Sequence, residues 1–496
     1  MTVLPQAAAA PGAMPSFFTD AFIGGRFVPA RSGRRFSAVN PATGQTLALV
    51  ASCDGDDVNA AVAAARAAFE DRRWAGLKPG ERKKILMRFA DLVRAHCDEL
   101  ALTETLNMGK PISDAKSIDV RATADCISYY GEAADKVYGE VAPTADDTLA
   151  LVLREPLGVV GCVTPWNFPM IMAAWKFAPA LAMGNSVILK PAEESPLTAL
   201  RLAALAQEAG VPDGVFNVVP GLGEEAGAAL GRHMDVDSLA FTGSTEVGRY
   251  FMRYSAESNL KRVSLELGGK TGFVVAADAP DLDAVAEAAA AGIFFNQGEM
   301  CTAGSRLLVD NKIKAALVER VVAAAEKWMP RDPLDPSAPA GAVVSRQHQR
   351  RILDAVERGR SEGARLLTGG RAVLEETGGA FVAPTVFDQV EPHSSLAQQE
   401  IFGPVLSVIG FDGLDEGVEI ANGTPYGLGA AIWSADLAAA HKVARKFKAG
   451  VVYVNCFDAD DITTPFGGVK QSGFGRDKSL HALDKYSDLK TVWTRL

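Results

Sequence analysis

A thiol, a carboxylate and a rigidly held amide are the side chains here that could carry covalent chemistry. Cys301 stands in Phe294-Phe-Asn-Gln-Gly-Glu-Met-Cys301-Thr-Ala-Gly-Ser-Arg306, among small and polar neighbours. A structural cysteine usually packs as a small hydrophobe in apolar company. A nucleophilic one needs access, nearby backbone donors and a route to thiolate. Glu266 lies in the apolar run Val263-Ser-Leu-Glu-Leu267, just before Gly268 and Gly269. Such a setting disfavours the ionised carboxylate, which suits a general base. A plain charge on an edge strand fits the same residue. Asn167 sits between Trp166 and Phe168, inside Pro165 and Pro169. A rigid amide N–H can stabilise an oxyanion, and a packed loop would read the same way.

A second set of residues could hold a dinucleotide. Gly221, Gly223 and Gly227 lie between a strand signal and a helix signal, one residue longer than the dinucleotide fingerprint. Phe241-Thr-Gly-Ser-Thr-Glu-Val-Gly248 offers a strand end, then Gly243 and Ser244, then a helix start whose N–H groups suit a diphosphate. A Ser-capped turn is the plainer reading. Lys190-Pro-Ala-Glu193 follows an apolar strand, where a Lys and an acid can reach ribose hydroxyls or simply face solvent. Gly268-Gly-Lys-Thr271 imitates the end of a P-loop, but Ser264 stands where its first glycine belongs. The six histidines form no nucleophile-elbow or metal-binding pattern, and the six cysteines show neither ligand nor disulfide spacing, so no metal is expected.

The elements that must position these groups follow from length and periodicity. The 496 residues suffice for two or three domains. A net charge of -10, with no dense basic run, argues against a nucleic-acid partner. No apolar stretch reaches the roughly 18 residues of a membrane span. The Ala- and Pro-rich start lacks the pattern of a secretory signal, so a flexible tail over 1–16 and a cytoplasmic location are expected. Helices are expected over 58–70, 81–106, 199–209, 282–295 and 312–328, and after Gly243 through Tyr254. Short apolar strands at 158–163, 186–189, 215–219, 238–241, 272–275 and 305–309 alternate with them. That alternation predicts an α/β chain with two Rossmann-like parallel-sheet domains. Alternating segments at 148–154 and 489–494 fall outside both series and are candidate edge strands for pairing between subunits.

Together these motifs resemble the NAD(P)-dependent aldehyde dehydrogenase superfamily. The likeness runs from about Phe22 to Trp493. It rests on Trp166-Asn-Phe-Pro169, Lys190-Pro-Ala-Glu193, Phe241-Thr-Gly-Ser244, Leu265-Glu-Leu-Gly-Gly-Lys270, Cys301, Glu400-Ile-Phe-Gly-Pro404 and Pro465-Phe-Gly-Gly468 followed by Ser472-Gly-Phe-Gly475. The tail from Gly473 to Lys485 is similar to bacterial γ-glutamyl-γ-aminobutyraldehyde dehydrogenases of putrescine breakdown. The resemblance implies a cofactor domain over 17–140 and 156–267, a catalytic domain over 268–476, and a small β oligomerisation element from 141–155 and 477–496. It implies oxidation of an aldehyde to an acid, with Cys301 as nucleophile, Asn167 as oxyanion donor and Glu266 as hydrolytic base. NAD, or alternatively NADP, is expected against Thr164, Pro165, Trp166, Lys190, Glu193, Gly223, Gly227, Phe241, Thr242, Gly243, Ser244, Val247, Leu267, Gly268, Glu400 and Phe402. Glu193 leans towards NAD, because a carboxylate repels the extra phosphate. Asp477 departs from the Glu that many relatives carry there, which puts an auxiliary proton-relay role in doubt.

An amino- or amido-aldehyde is the expected substrate, lined by Phe168, Met172, Trp175, Met300, Thr302 and Phe466, with Asp460 or Asp461 near its distal end. A broad-range or betaine-type enzyme is the main alternative. A CoA-acylating enzyme fits less well because Glu266 is present, and a non-catalytic relative because Cys301, Glu266 and Asn167 all are. A homodimer or homotetramer is expected.

Overall fold

Five short runs form the centre of an eight-stranded sheet in the computed structural model, which describes residues 16–496. The expected tail therefore lies, apart from Ser16, outside the described residues. The spatial order is Arg26–Val28, Ala21–Ile23, Phe216–Val218, Ser186–Lys190, Val159–Val163, Ser238–Thr242, Arg262–Glu266 and Gly473–Phe474. The five inner strands run parallel, and the outer ones pair antiparallel. Three inner strands are buried at every position, which is why they read as continuous apolar runs. The chain builds outward from Val159–Val163 on one side, then restarts at Ser238–Thr242 on the other. Loops leaving the carboxyl ends of those two strands share one crevice, the place where such sheets bind ligands.

The second sheet is ordered Arg365–Thr368, Thr385–Asp388, Val405–Phe411, Arg306–Asp310, Gly272–Val275, Gly429–Trp433 and Val451–Val454. All but the first strand are parallel. Helices Leu282–Phe294 and Lys314–Glu326 cover one face, and Arg346–Ser361, Leu414–Asn422 and Leu437–Lys446 the other. The two-domain α/β expectation holds. Among the described residues no helix is long and apolar enough to cross a membrane.

Two expectations need correction. The helix expected over 81–106 is two helices, Pro79–Ala95 and Cys97–Met108, broken at His96, whose backbone leaves helical values at φ -98°, ψ 25°. Apolar spacing continues across the break, so periodicity did not mark it. Second, the C-terminal edge strand is Ser487–Arg495, and residues 477–486 pack elsewhere: Ala482, Leu483 and Tyr486 join the core beneath the first sheet. Asp477 draws that segment inward by pairing with the buried Lys176 of helix Pro169–Ala182. Gly473–Phe474 likewise completes the first sheet rather than the second. Ser487–Arg495 pairs along its whole length with Thr148–Pro156, which also pairs with Glu140–Ala142. Among the described residues no strand pairs with the outer edge of Ser487–Arg495, a strand that exposes Leu489 and Trp493.

Phe177, fully buried on helix Pro169–Ala182, touches Phe89 at 5.7 Å and Phe216 at 5.0 Å between ring centroids. Phe177→Ala should cost about 3–5 kcal/mol of stability, read as a lowered Tm and urea midpoint.

Candidate active site

Cys301 is delivered by a turn that ordinary backbone geometry disfavours. After helix Leu282–Phe294, Asn296, Gln297 and Gly298 take φ values of 48°, 57° and 74°. Three consecutive left-handed residues are costly and persist only where surroundings hold them. The Gln297 carbonyl oxygen of the side chain accepts the Gly341 N–H, and the Asn296 amide donates to the Asn167 and Glu299 carbonyls. A Cβ on Gly298 would sit 2.3 Å from the Gly403 carbonyl carbon. A Cβ on Gly269 would sit 2.2 Å from the Cys301 carbonyl oxygen. Both glycines allow backbones to meet where no side chain fits.

Glu266 and Asn167 share one cavity of about 740 Å³ with Cys301. Glu266 ends strand Arg262–Glu266, and neither carboxylate oxygen has a hydrogen-bond partner among the described residues. Burial pushes its pKa well up and Asp477 adds to this, while Lys485, Lys176 and Arg476 pull it back. Asn167 is held by its Nδ2 donating to the Glu299 carbonyl at 2.9 Å. Its second N–H remains free to serve an acceptor. The Cys301 thiol is held up by burial and then by Glu400, Glu266 and Asp458. A backbone hydrogen bond at Cys301 opposes these in part, and the net direction favours the thiol, which a base nearby can activate.

The cofactor-type residues gather on the carboxyl ends of the first sheet. Trp166, Pro165, Thr242, Gly243, Ser244, Leu267, Gly268, Glu400 and Phe402 line the cavity itself. Thr164, Lys190, Glu193, Gly223, Gly227 and Val247 stand outside its walls, on loops and helix starts along the same edge. Phe241 instead packs into the core against Phe251, centroids 4.8 Å apart. Lys190 donates to Glu193 at 2.8 Å. Three observations fit a dinucleotide. The buried Thr242 Oγ1 has no partner among the described residues. A Cβ at Gly223 would meet nothing within 4 Å. Ser244 caps the 13-residue helix Thr245–Glu257, whose first N–H groups face the crevice end of the strand. Glu400 accepts the Gly269 N–H at 2.8 Å, and burial pushes its pKa up to about 7.

The other end of the cavity is walled by Phe168, Met172, Trp175, Met300, Thr302 and Phe466, all as expected. Asp460 reaches it, but its carboxylate already pairs with Lys478, whose ammonium lies 5.6 Å from the Trp175 ring centroid. Asp461 does not line it: the carboxylate turns back to cap the Thr463 N–H at 2.8 Å. Several lining residues were not anticipated. Phe295 ends the helix before the nucleophile, and its nearness in sequence to Cys301 was the available signal. Asp458 stands two residues before Asp460, and that nearness was its available signal. Tyr453 and the helix residues His348, Arg351, Asp354 and Arg358 gave no local signal. His348 donates from Nε2 to the Phe402 carbonyl at 2.7 Å, and burial holds its pKa down to about 4.

A thiol, a buried carboxylate and an amide thus line one cavity at the switch point of a nucleotide-type sheet. The pattern of the aldehyde dehydrogenase family matches residues 27–492, and the chain belongs to that family. It is 51% identical over 474 residues to the aminoacetaldehyde dehydrogenase of Pseudomonas aeruginosa, covering 95% of each chain. The crystal structure of γ-glutamyl-γ-aminobutyraldehyde dehydrogenase from Burkholderia cenocepacia is 57% identical, with a TM-score of 0.96 over 97% of each chain. An indole-3-acetaldehyde dehydrogenase in complex with NAD+ is 53% identical, also at 0.96 over 97% of each.

Gly298→Ala should lower stability, because backbone must shift to admit the Cβ, and lower kcat/KM about 100-fold, since displacement of a reacting group by an ångström costs that much. Circular dichroism beside steady-state rates checks both halves of that expectation.

Proposed function

We propose that this enzyme oxidises an amino- or amido-aldehyde to the carboxylic acid, using NAD, with Cys301 as nucleophile. The observation that carries the chemistry is that the half-buried Cys301 thiol lines the same cavity as Glu266, whose two oxygens are unpartnered among the described residues. Glu266 takes the thiol proton as sulfur bonds to the aldehyde carbon. The free Asn167 N–H and the Cys301 backbone N–H receive the oxyanion. Bound NAD supplies the acceptor for the hydride whose departure leaves a thioester on Cys301. Glu266 first releases the thiol's proton to solvent; water then attacks the thioester carbon, its proton passes to Glu266, and the C–S bond breaks to free the acid and return Cys301 as a thiolate, which Glu266 reprotonates.

The cofactor reading rests on the Lys190–Glu193 pair, the cradle at Gly223, the capped helix and the NAD+ complex of the indole-3-acetaldehyde relative. The substrate reading rests on two relatives that act on nitrogen-bearing aldehydes and on the acidic residues at the cavity's edge, Asp458 and Asp460. Asp460 enters that role as half of an ion pair, and Asp461 has no part in it. A broad aromatic range is the second reading, favoured by the Phe168, Trp175 and Phe466 walls and by the indole-3-acetaldehyde relative. A homo-oligomer, formed through the open edge of Ser487–Arg495, completes the proposal.

Steady-state comparison of ω-aminoaldehydes with alkyl aldehydes of equal length should favour the former by at least about tenfold in kcat/KM, the scale of one added polar contact. Equal values, or better ones for arylacetaldehydes, would transfer the assignment to the aromatic reading. Glu266→Gln should lower turnover by about 100-fold or more and form the acyl-enzyme, seen on acid quench, correspondingly slowly, because the thiol then lacks its base. In the unaltered enzyme, turnover should rise with pH as Glu266 ionises and fall as acid protonates it, above the ordinary carboxylate range because its pKa is raised.

A further inference from the structure

Three more charged groups are buried together near Glu266: a Cβ on Gly467 would sit 2.7 Å from Glu266 Oε1, and the residue before it, Phe466, pairs with Asp477. Asp477 has a side chain 0% exposed, and Lys176 donates to its Oδ2 at 3.0 Å from a side chain 1% exposed. Lys485 pairs with Oδ1 of the same carboxylate from a side chain 10% exposed. Lys176 comes from helix Pro169–Ala182, and Lys485 from the turn Leu480–Tyr486. Asp477 is fixed by mutual backbone hydrogen bonds with Phe466, a wall of the cavity, each 2.8 Å long. One lysine would suffice to pair one buried aspartate. Two lysines leave one positive charge over, and the unpartnered carboxylate of Glu266 is the group beside them that can use it.

We propose that Lys485 is a positioning residue for hydrolysis: its ammonium completes a charge-balanced buried cluster, two lysines against Asp477 and Glu266. The proposal rests on the reading of Glu266 as the base. It adds a residue that touches neither the aldehyde nor Cys301. The groups facing Glu266 are Asp477, Lys485, Lys176, Arg476 and Cys301. Facing the cluster itself are Tyr486 and Cys162, both kept protonated by burial. Asp477 opposes ionisation of Glu266, and the two lysines favour it. Burial pushes the Asp477 carboxyl up, but Lys176 and then Lys485 outweigh this and bring it below the ordinary range. With Asp477 held ionised, loss of Lys485 leaves two buried negative charges facing one buried positive one, Lys176, with only the partly exposed Arg476 beside it. Like charges sharing a buried site oppose each other's ionisation.

The charge count makes the test specific. Lys485→Met should leave acyl-enzyme formation on acid quench unchanged when assayed above the shifted limb. The rising limb of post-acylation turnover should move to higher pH by about one unit, the usual effect of one nearby charge. The double variant Asp477→Asn with Lys485→Met restores balance, with Lys176 against Glu266, and should return the limb towards its original position. A structural role predicts the reverse, with the double variant worse than the single one. An unmoved limb in Lys485→Met, a further alkaline move in the double variant, or loss of acylation at high pH in Lys485→Met would each overturn the proposal. Turnover that survives in Glu266→Gln would instead remove the base assignment, a different result from a different variant.

Discussion

The nucleophile is held where three stretches of backbone approach too closely for side chains. Cys301's own carbonyl lies against Gly269, and Gly298, three residues before it, lies against Gly403. Gly269 follows the last parallel strand of the first sheet, whereas Gly403 precedes strand Val405–Phe411 of the second. The thiol is thus gripped between parts of both sheets, and its left-handed approach has no freedom to relax. Glu400 reinforces the grip, since its carboxylate accepts the Gly269 N–H while the chain beyond it runs into Gly403. Cavity, amide and base are all defined relative to this one contact.

Around it, the protein places charge with economy. On the cavity, the Glu266 oxygens and the Thr242 hydroxyl are buried and have no partners among the described residues. Other buried charges are paired, as with Lys176 and Lys485 on Asp477, or Lys110 on Asp119 Oδ1 at 2.6 Å. Removing one partner from such a buried pair is far more damaging than never having had the pair. The site's reactivity and the frame's stability therefore rest on opposite treatments of the same residue types.

The fold was legible because parallel strands buried on both faces are written as unbroken apolar runs, and Ala-rich helices separate them. The catalytic trio was legible because each member sits in a local setting odd for its type: a thiol among polar residues, a carboxylate among apolar ones, an amide between prolines. What escaped depended on long-range pairing. Nothing near His96 shows that a helix must break there. Asp461 looks like its neighbours Asp458 and Asp460, and only the turn it caps separates it from the cavity. Asp477 read as a departure of doubtful purpose, because Lys176 lies 301 residues away in the chain. Phe241 sits in a motif that suits a cofactor, yet the strand pleat turns its ring into the core.

The C-terminal segment that brings Asp477 and Lys485 to the site also settles when the enzyme can come into being. The first sheet starts at Ala21–Ile23, but its last strand is Gly473–Phe474. A ribosome releases that strand only after the whole second sheet has been made. Until then the face of Glu266 that ends against the C-terminal segment stays open, and Lys176 waits without its carboxylate. Domains usually fold as they emerge, but here the earlier one must wait for a strand made after the later one. Its exposed edge, Arg262–Glu266, is the part most in need of shelter during synthesis.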